Sequence, residues 1–165
     1  MIKTTEKNNP SSKNIDQLSI IEILKIINNE DELIPMIIKN HLHEIEILIN
    51  MTVKSFLSSG RLFYVGCGSS GRLGVLDASE CPPTFSVDNH LVQGIIAGGD
   101  QALHTAVEGA EDNYENAIND LKEKNISEND TIIGISASGG ASYVLGALEY
   151  GSKCNAKTGL ITFNN

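Results

Sequence analysis

Two short segments combine glycines, which free the backbone, with serine hydroxyls. They are Gly66–Arg72 (GCGSSGR) and Ser136–Ser142 (SASGGAS). Each segment follows a short apolar run and precedes a helical pattern, so the N–H groups of a helix N-terminus would add to the hydroxyls. This combination predicts a cradle for an anion such as phosphate. Glycine-rich turns also occur simply because they let a helix pack closely on a strand, and spacing alone leaves both interpretations open.

The first segment also has the glycine spacing of a dinucleotide-binding loop. Gly66, Gly68 and Gly71 match the pattern GxGxxG. A nucleotide-binding fold would place an acidic residue at the end of the second strand to bind the ribose. That strand ends in Ala-Gly-Gly, and Asp100 follows one residue later. The lone match is weak support for a nucleotide site.

Carboxylates near these segments could supply acid and base catalysis. Glu80 is predicted to end the first crossover helix, just before Cys81 and two prolines. Glu108, Glu111 and Glu115 have the i, i+3, i+7 spacing of one face of a predicted long helix. Each of these residues is equally compatible with a solvated surface charge.

The cysteines and histidines do not suggest a metal site. Cys67, Cys81 and Cys154 are odd in number and widely spaced, which predicts neither a disulfide framework nor a zinc site. The four histidines lack metal-ligand spacing with nearby acids. Free cysteines fit a reducing compartment, and we expect no metal, with the cytoplasm as the location.

The net charge disfavours two classes of partner. With 12 Lys and Arg against 21 Asp and Glu, the formal net charge is −9. Such a surface repels nucleic acid and anionic membranes, so an anionic ligand must be bound by local groups. The polar N-terminus and the lack of any apolar run of roughly 18 residues predict neither a signal peptide nor a membrane span.

The first 58 residues are predicted to form an arm and helices. Residues 1 to about 17 are polar and rich in turn formers, which indicates an extended arm. From Leu18 to about Ser58 the apolar residues have helical spacing, and the polar run 28–31 separates two predicted helices. Ser19 and Glu22 form a capping box at the start of the first.

Residues 59–165 alternate between apolar runs and helical patterns. We predict strands at 62–65, 92–97, 131–136 and 158–163, and helices at 71–79, 101–124 and 141–154. Strand runs that are apolar on both faces are typical of a parallel sheet covered by helices. The fold class is therefore α/β, a doubly wound parallel sheet with helices on both faces, preceded by the helical arm. Because the sequence stops right after the fourth strand, we expect the domain to be incomplete at its C-terminus.

Longer strings around these residues resemble the N-acetylmuramic acid 6-phosphate etherase family. They are GRLFYVGCGSSGRLGVLDASECPPTF (60–85), VQGIIAGG (92–99), AVEGAED (106–112) and YVLGALEY (143–150). The segments TEKNNPSS, NIDQLS and NNEDELIP extend the resemblance over nearly the whole chain. It implies a sugar-isomerase (SIS) fold, a phosphorylated amino sugar as substrate, and a homodimer with sites near the subunit interface. It implies neither a metal nor an organic cofactor.

The resemblance also implies a reaction and assigns residues to it. The lactyl ether would be cleaved with water to give N-acetylglucosamine 6-phosphate and D-lactate. Glu111 would remove the proton at carbon 2, and Glu80, protonated at the start, would protonate the departing ether oxygen. The residues implied to bind the substrate are Gly68, Ser69, Ser70, Gly71, Arg72, Ser136, Ser138, Gly139 and Ser142.

One segment departs from the family pattern. Where the family usually has Ala-Ser-Gly-Arg-Thr-Pro-Tyr-Val, residues 137–144 read ASGGASYV. Gly140 and Ala141 thus replace an arginine and a threonine, and the hydroxyl of Ser142 is the available substitute. Two alternatives to the etherase stay open. One is a non-catalytic phosphosugar-binding module like the related glucokinase regulatory proteins, and the other is an inactive fragment of the enzyme.

Overall fold

Three helices precede the sheet. A computed structural model describes residues 4–164, and in it α1 spans Ile20–Asp31, α2 Leu33–Lys39 and α3 Leu42–Leu57. The capping box of Ser19 and Glu22 is confirmed. The prediction of two helices separated at 28–31 was wrong, because α1 continues through that run. The break comes at Glu32, where Pro35 occupies the first turn of α2 and needs no N–H partner.

The arm is not extended as the sequence suggested. Within its described part it forms three short 3₁₀ turns, at Thr4–Glu6, Pro10–Ser12 and Ile15–Gln17. The turn formers act locally: the Asn9 side chain accepts a hydrogen bond of 2.9 Å from the N–H of Ser11. Residues 1–3 of the predicted arm lie outside the described residues.

The sheet has four parallel strands in the order β2-β1-β3-β4. The strands are β1 (Leu62–Gly66), β2 (Val92–Ile96), β3 (Thr131–Ile135) and β4 (Lys157–Ile161). The helices that follow α3 are α4 (Gly68–Phe85), α5 (Gln101–His104), α6 (Tyr114–Glu123) and α7 (Ser142–Lys153). The doubly wound α/β architecture is confirmed, and each predicted strand starts within one residue of its observed position.

Alternating side chains of the strands build a core on each face of the sheet. On β1, Phe63 and Val65 point to the face covered by α6 and α7, and both are fully buried. Leu62 points to the opposite face and packs with Ala78 of α4. Since both faces of β1 are covered by helices, every residue of this strand is apolar or glycine.

Helix α4 is longer than the sequence predicted. It starts three residues earlier, at Gly68, and runs through Pro82 and Pro83 to Phe85. The prolines do not end it, because their φ suits a helix and their missing N–H groups cost hydrogen bonds only in its last turns. The helix ends where Ser86, with a left-handed φ of 55°, donates to the carbonyl of Pro82. Glu80 therefore lies inside the helix and not at its end.

The predicted long helix at 101–124 was also wrong. The chain forms the short α5, a loop, a 3₁₀ turn at Ala110–Asp112 and then α6. Gly109, with a φ of 70°, turns the backbone, and the Asn113 side chain accepts a 3.0 Å hydrogen bond from the N–H of Asn116 to cap α6. Because the helix is interrupted, Glu111 and Glu115 do not share a helical face.

A buried ion pair joins the amino ends of the strands. Asp130 is 1% exposed, and its carboxylate accepts hydrogen bonds from the backbone N–H and the guanidinium of Arg61 at 2.8 to 3.1 Å. The N–H and hydroxyl of Ser127 donate to the same carboxylate. Burial alone would raise the pKa of Asp130, but the hydrogen bonds from Arg61 and Ser127 outweigh it and hold that pKa below its usual range.

Asp130→Asn should therefore destabilise the fold. We expect the free energy of unfolding to fall by at least about 2 kcal/mol in a urea titration, since a hydrogen-bonded charge loses its partner. The pKa of Asp130 is lowered by folding, so the difference between variant and parent should be full above about pH 4 and shrink as the pH falls below it. Glu149→Gln, which breaks the exposed pair with Lys153, is the control and should leave stability unchanged. A pH-independent difference would contradict this assignment.

Candidate functional site

The two glycine and serine segments meet at one edge of the sheet. β1 and β3 are hydrogen-bonded neighbours, so the loops at their carboxyl ends lie side by side. Helix α4 starts at Gly68 in the first segment, and α7 starts at Ser142 at the end of the second. Two helix N-termini therefore open at the same edge, where their free N–H groups favour an anion.

A cavity of about 240 Å³ lies between these loops. Three of the predicted binding serines line it: Ser70 from the first turn of α4, and Ser136 and Ser138 from the loop after β3. The other residues of its wall are Thr5, Glu6, Cys67, Glu111, Ile135, Ala137 and Ala141. Hydroxyls, helix N-termini and carboxylates thus surround one space, which is large enough for a small polar ligand.

A second cavity of about 180 Å³ adjoins the first. Gly68, Arg72 and Glu108 contribute to it, and Cys67 and Glu111 line both cavities. The Nε of Arg72 donates a 3.1 Å hydrogen bond to the carbonyl of Leu103, which holds the side chain against α5. Arg72 is the one lysine or arginine among the described residues that line the two cavities.

The glycines of the first segment have different physical roles. A Cβ on Gly71 would lie 2.6 Å from Cγ1 of Ile96 and 2.7 Å from the carbonyl oxygen of Gly66, so Gly71 is required for close packing of α4 on the strands. Gly68 has a φ of 52°, and an added Cβ would meet nothing within 4 Å. Gly68 is thus a conformational requirement at the cavity wall. The close-packing interpretation of the loop thus applies to Gly71, whereas anion binding by the loop stays a prediction.

Not every predicted binding residue lines a cavity. Ser69 is exposed on α4, Gly71 is buried against β2, and neither belongs to the two walls described above. Gly139 has a φ of 65° and turns the loop that presents Ser138, whose Oγ accepts from the N–H of Gly140 at 3.2 Å. Ser142 is the first residue of α7, and Ala141 lines the cavity in its place.

Of the two carboxylates that the resemblance assigns to catalysis, Glu111 is the one that lines the cavities. It lies exposed in the 3₁₀ turn before α6, next to Cys67. Burial, together with the smaller effect of the nearby carboxylates of Glu111 and Asp112, raises the pKa of the Cys67 thiol to about 11. The thiol therefore stays protonated at neutral pH, which makes Cys67 a packing residue and not a nucleophile.

Glu80 does not reach this site within one chain. On the same helix it lies twelve residues after Gly68 and eight after Arg72, which at 1.5 Å per residue places it roughly 18 Å and roughly 12 Å along the axis from these two cavity-lining residues. Its side chain is exposed, and neither cavity wall includes it. The structure thus separates the two carboxylates that the sequence resemblance paired.

Two residues of the first cavity were missed in the sequence. Thr5 and Glu6 belong to the N-terminal arm, and the polar composition of the arm indicated only a turn-rich segment.

Within residues 4–164 no group of three or more His, Cys, Asp and Glu side chains is placed to hold a metal ion. In the same part of the chain, no helix is long and apolar enough to cross a membrane.

Comparison with known proteins identifies the family. The family model of the glucokinase regulatory protein N-terminal SIS domain matches residues 44–152, which include both loops and both carboxylates. This chain belongs to that SIS family. The matched range includes the serines of the first cavity.

Individual proteins with similar sequences give a more specific comparison than the family model. N-acetylmuramic acid 6-phosphate etherases from Clostridium beijerinckii and Clostridium botulinum are 52% and 53% identical to this SIS-family chain over 161 residues. The aligned residues are 98% of this chain but only 53% and 54% of those proteins. The chain thus spans about half the length of the relatives it matches.

Solved structures confirm the fold. Phosphoheptose isomerases from Neisseria gonorrhoeae and Francisella tularensis superpose with a TM-score of 0.53 each, at 16% and 18% sequence identity. The superpositions cover 83% and 82% of this chain and 74% of each isomerase. At this identity the likeness shows the SIS architecture alone.

The two glycine roles can be separated by mutation. Gly71→Ala should lower the free energy of unfolding by about 3 kcal/mol or more, because the methyl group overlaps backbone and Ile96. Gly68→Ala should cost only about 1 kcal/mol of backbone strain. Urea titrations of both variants test this, and an equal or larger loss for Gly68→Ala would contradict the assigned roles.

Proposed function

We propose that this chain binds N-acetylmuramic acid 6-phosphate and supplies the catalytic site that cleaves its lactyl ether. The observation that carries the proposal is the position of Glu111 in the wall shared by two cavities, beside three serines at converging helix N-termini. The identity of about half to etherases over nearly the whole chain supports the substrate. The products are N-acetylglucosamine 6-phosphate and D-lactate.

The phosphate group occupies the serine-lined part of the first cavity. Ser70, Ser136 and Ser138 donate their hydroxyls, and the N-termini of α4 and α7 supply backbone N–H groups. Binding through these neutral donors accounts for an anionic substrate in a chain with a formal net charge of −9. It also accounts for the missing arginine in the second loop, since the cradle does not need a cation.

The reaction is an elimination followed by a hydration. In the open-chain sugar the aldehyde at carbon 1 acidifies the proton on carbon 2, and the carboxylate of Glu111 removes it. The electron pair forms the carbon 2 to carbon 3 double bond as the carbon 3 to oxygen bond breaks, and Glu80 protonates the leaving lactate. Water then adds to the double bond: the carboxylate of Glu80 takes a proton from the water as its oxygen bonds to carbon 3, and carbon 2 regains a proton from Glu111.

The separation of the two acids within one chain points to a homodimer. Leu76 lies three residues after Leu73 on α4, and Glu80 lies four residues after Leu76, so the three side chains share one face of the helix. Leu73 and Leu76 are 60% and 57% exposed. A second copy that covers this apolar stripe would bury Glu80 at the interface. Glu80 of one protomer then completes the site that contains Glu111 of its partner, which makes the dimer the catalytic unit.

We also infer the organisation and location of the chain. Residues 59–165 form the phosphosugar-binding domain, and residues 1–58 are the arm and helices attached to it. The three cysteines are free, which is compatible with a reducing cytoplasm. A phosphorylated sugar as substrate favours the same compartment, because a charged phosphate ester does not cross membranes unaided.

Release of D-lactate from N-acetylmuramic acid 6-phosphate tests the reaction. Glu80→Gln and Glu111→Gln should each lower kcat at least about a hundredfold, because general acid and base catalysis contributes about 10²–10⁴-fold. Glu115→Gln, an exposed carboxylate in the first turn of α6, is the matched control and should keep full activity. A parent chain that is folded and binds the substrate without releasing lactate would favour the second candidate, a non-catalytic phosphosugar-binding module. The distance of Glu80 from the cavities favours that candidate if no dimer forms.

Mixing the two inactive variants tests the shared site. In a mixed dimer of Glu80→Gln and Glu111→Gln chains, one of the two sites retains both carboxylates. Random exchange of subunits should therefore restore about a quarter of the parent activity. No recovery after subunit exchange, verified by mass spectrometry of the dimers, would mean that both carboxylates act within one chain.

A further inference from the structure

The N-terminal arm is tied to the loop after β3 by a single side chain. The Oδ1 of Asn164 accepts hydrogen bonds from the N–H groups of Thr4, at 2.6 Å, and Thr5, at 3.4 Å. Its Nδ2 donates to the hydroxyl oxygen of Thr5 at 3.0 Å and to the carbonyl of Ala137 at 3.2 Å. Asn164 thus joins residues 4–6, which we call the strap, to the loop that carries Ser138.

This attachment places the strap in the wall of the first cavity. Thr5 and Glu6 line it together with the serines of the two loops. The Thr5 hydroxyl oxygen accepts from Asn164, so its own hydrogen is free to donate to a ligand. Glu6 brings a carboxylate, which accepts hydrogen bonds only, so the strap presents one donor and one strong acceptor.

The charges in the cavity determine which part of a ligand the strap can contact. Of the described residues in this wall, Glu6 and Glu111 are the charged ones, and both are acidic. A phosphate beside Glu6 would be repelled, whereas hydroxyl and amide N–H groups would donate to it in charge-assisted hydrogen bonds. The strap therefore suits the neutral, hydrogen-donating part of a phosphosugar.

We propose that Thr5 and Glu6 recognise the sugar hydroxyl and amide groups of the phosphosugar, and that Asn164 is the residue that positions them. This inference rests on the proposed function for the ligand class, and it adds the specificity for the sugar. The serines bind the phosphate end, and the strap selects what is attached to it. An anion without a sugar then gains nothing from the strap.

Two probes separate the strap from the phosphate cradle. Calorimetric titration of the full chain with N-acetylglucosamine 6-phosphate and with inorganic phosphate compares a ligand that reaches the strap with one that does not. Glu6→Ala should weaken sugar phosphate binding at least about tenfold, the effect of one charge-assisted hydrogen bond. Inorganic phosphate should bind the Glu6→Ala variant at least as tightly as it binds the parent chain, because a negative charge is removed. Unchanged affinity for the sugar phosphate, or equal weakening for both probes, would overturn the role of the strap.

The positioning role of Asn164 has its own readout. Asn164→Ala should raise KM for N-acetylmuramic acid 6-phosphate with kcat retained, and it should speed amide hydrogen exchange at Thr4 and Thr5. Asn164→Asp keeps the oxygen that accepts from Thr4 but loses both donors, and should have an intermediate effect. Asn116→Ala, an exposed asparagine on α6, is the control. Exchange at Thr4 and Thr5 that is unaffected by Asn164→Ala would refute the attachment.

Failure of this inference can be distinguished from failure of the proposed function. A parent chain that binds neither probe overturns both. Binding of both probes with no selective effect of Glu6→Ala overturns the strap alone. If Glu6→Ala selectively weakens sugar phosphate binding and the parent chain releases no lactate, the role of the strap is supported and the etherase activity is refuted. In that case the Asn164 variants are compared by their dissociation constants for N-acetylglucosamine 6-phosphate instead of by KM.

Discussion

The buried carboxylate of Asp130 sets the alignment of the strands, and the site at the opposite edge depends on that alignment. Its side chain binds Arg61 before β1, and its carbonyl accepts a 2.9 Å hydrogen bond from the N–H of Lys157 at the start of β4. β1 and β3 pair from Leu62 with Thr131 onward, directly after the ion pair. Because parallel strands of equal length advance by the same rise, alignment at the amino ends carries through to the carboxyl ends. The two loops that hold the serines therefore begin at the same level.

Close packing of helices on this aligned sheet turns the loops into a site. Gly71 lets the first turn of α4 approach β1 and β2 so closely that no side chain fits between them. On the other face, Tyr143 in the first turns of α7 is fully buried and its hydroxyl donates to the carboxylate of Asp120 on α6. Burial and this hydrogen bond raise the pKa of Tyr143, so it remains a neutral donor. Both helix N-termini are thus held in place from behind, which preorganises their N–H groups for an anion.

Glu111 and Glu80 lie in different kinds of element. Glu111 is presented by a turn that interrupts a helical pattern, which frees it to face both cavities. Glu80 is held within a continuous helix, on an exposed stripe far from those cavities.

The sequence by itself determined the strands and their order of appearance, the capping box of Ser19 and the position of a glycine and serine loop after β1 and after β3. These features depend on neighbours a few residues apart. Helical periodicity failed at 101–124, where Gly109 and Asn113 outweigh the spacing of the acids. The attachment of the arm was decided only by the tertiary structure, since Thr4 and Asn164 are 160 residues apart. The tertiary structure also decided the distance between Glu80 and Glu111, because this distance depends on how far α4 extends. Local patterns record which face of an element is apolar, but long-range hydrogen bonds and helix lengths decide which side chains share a cavity.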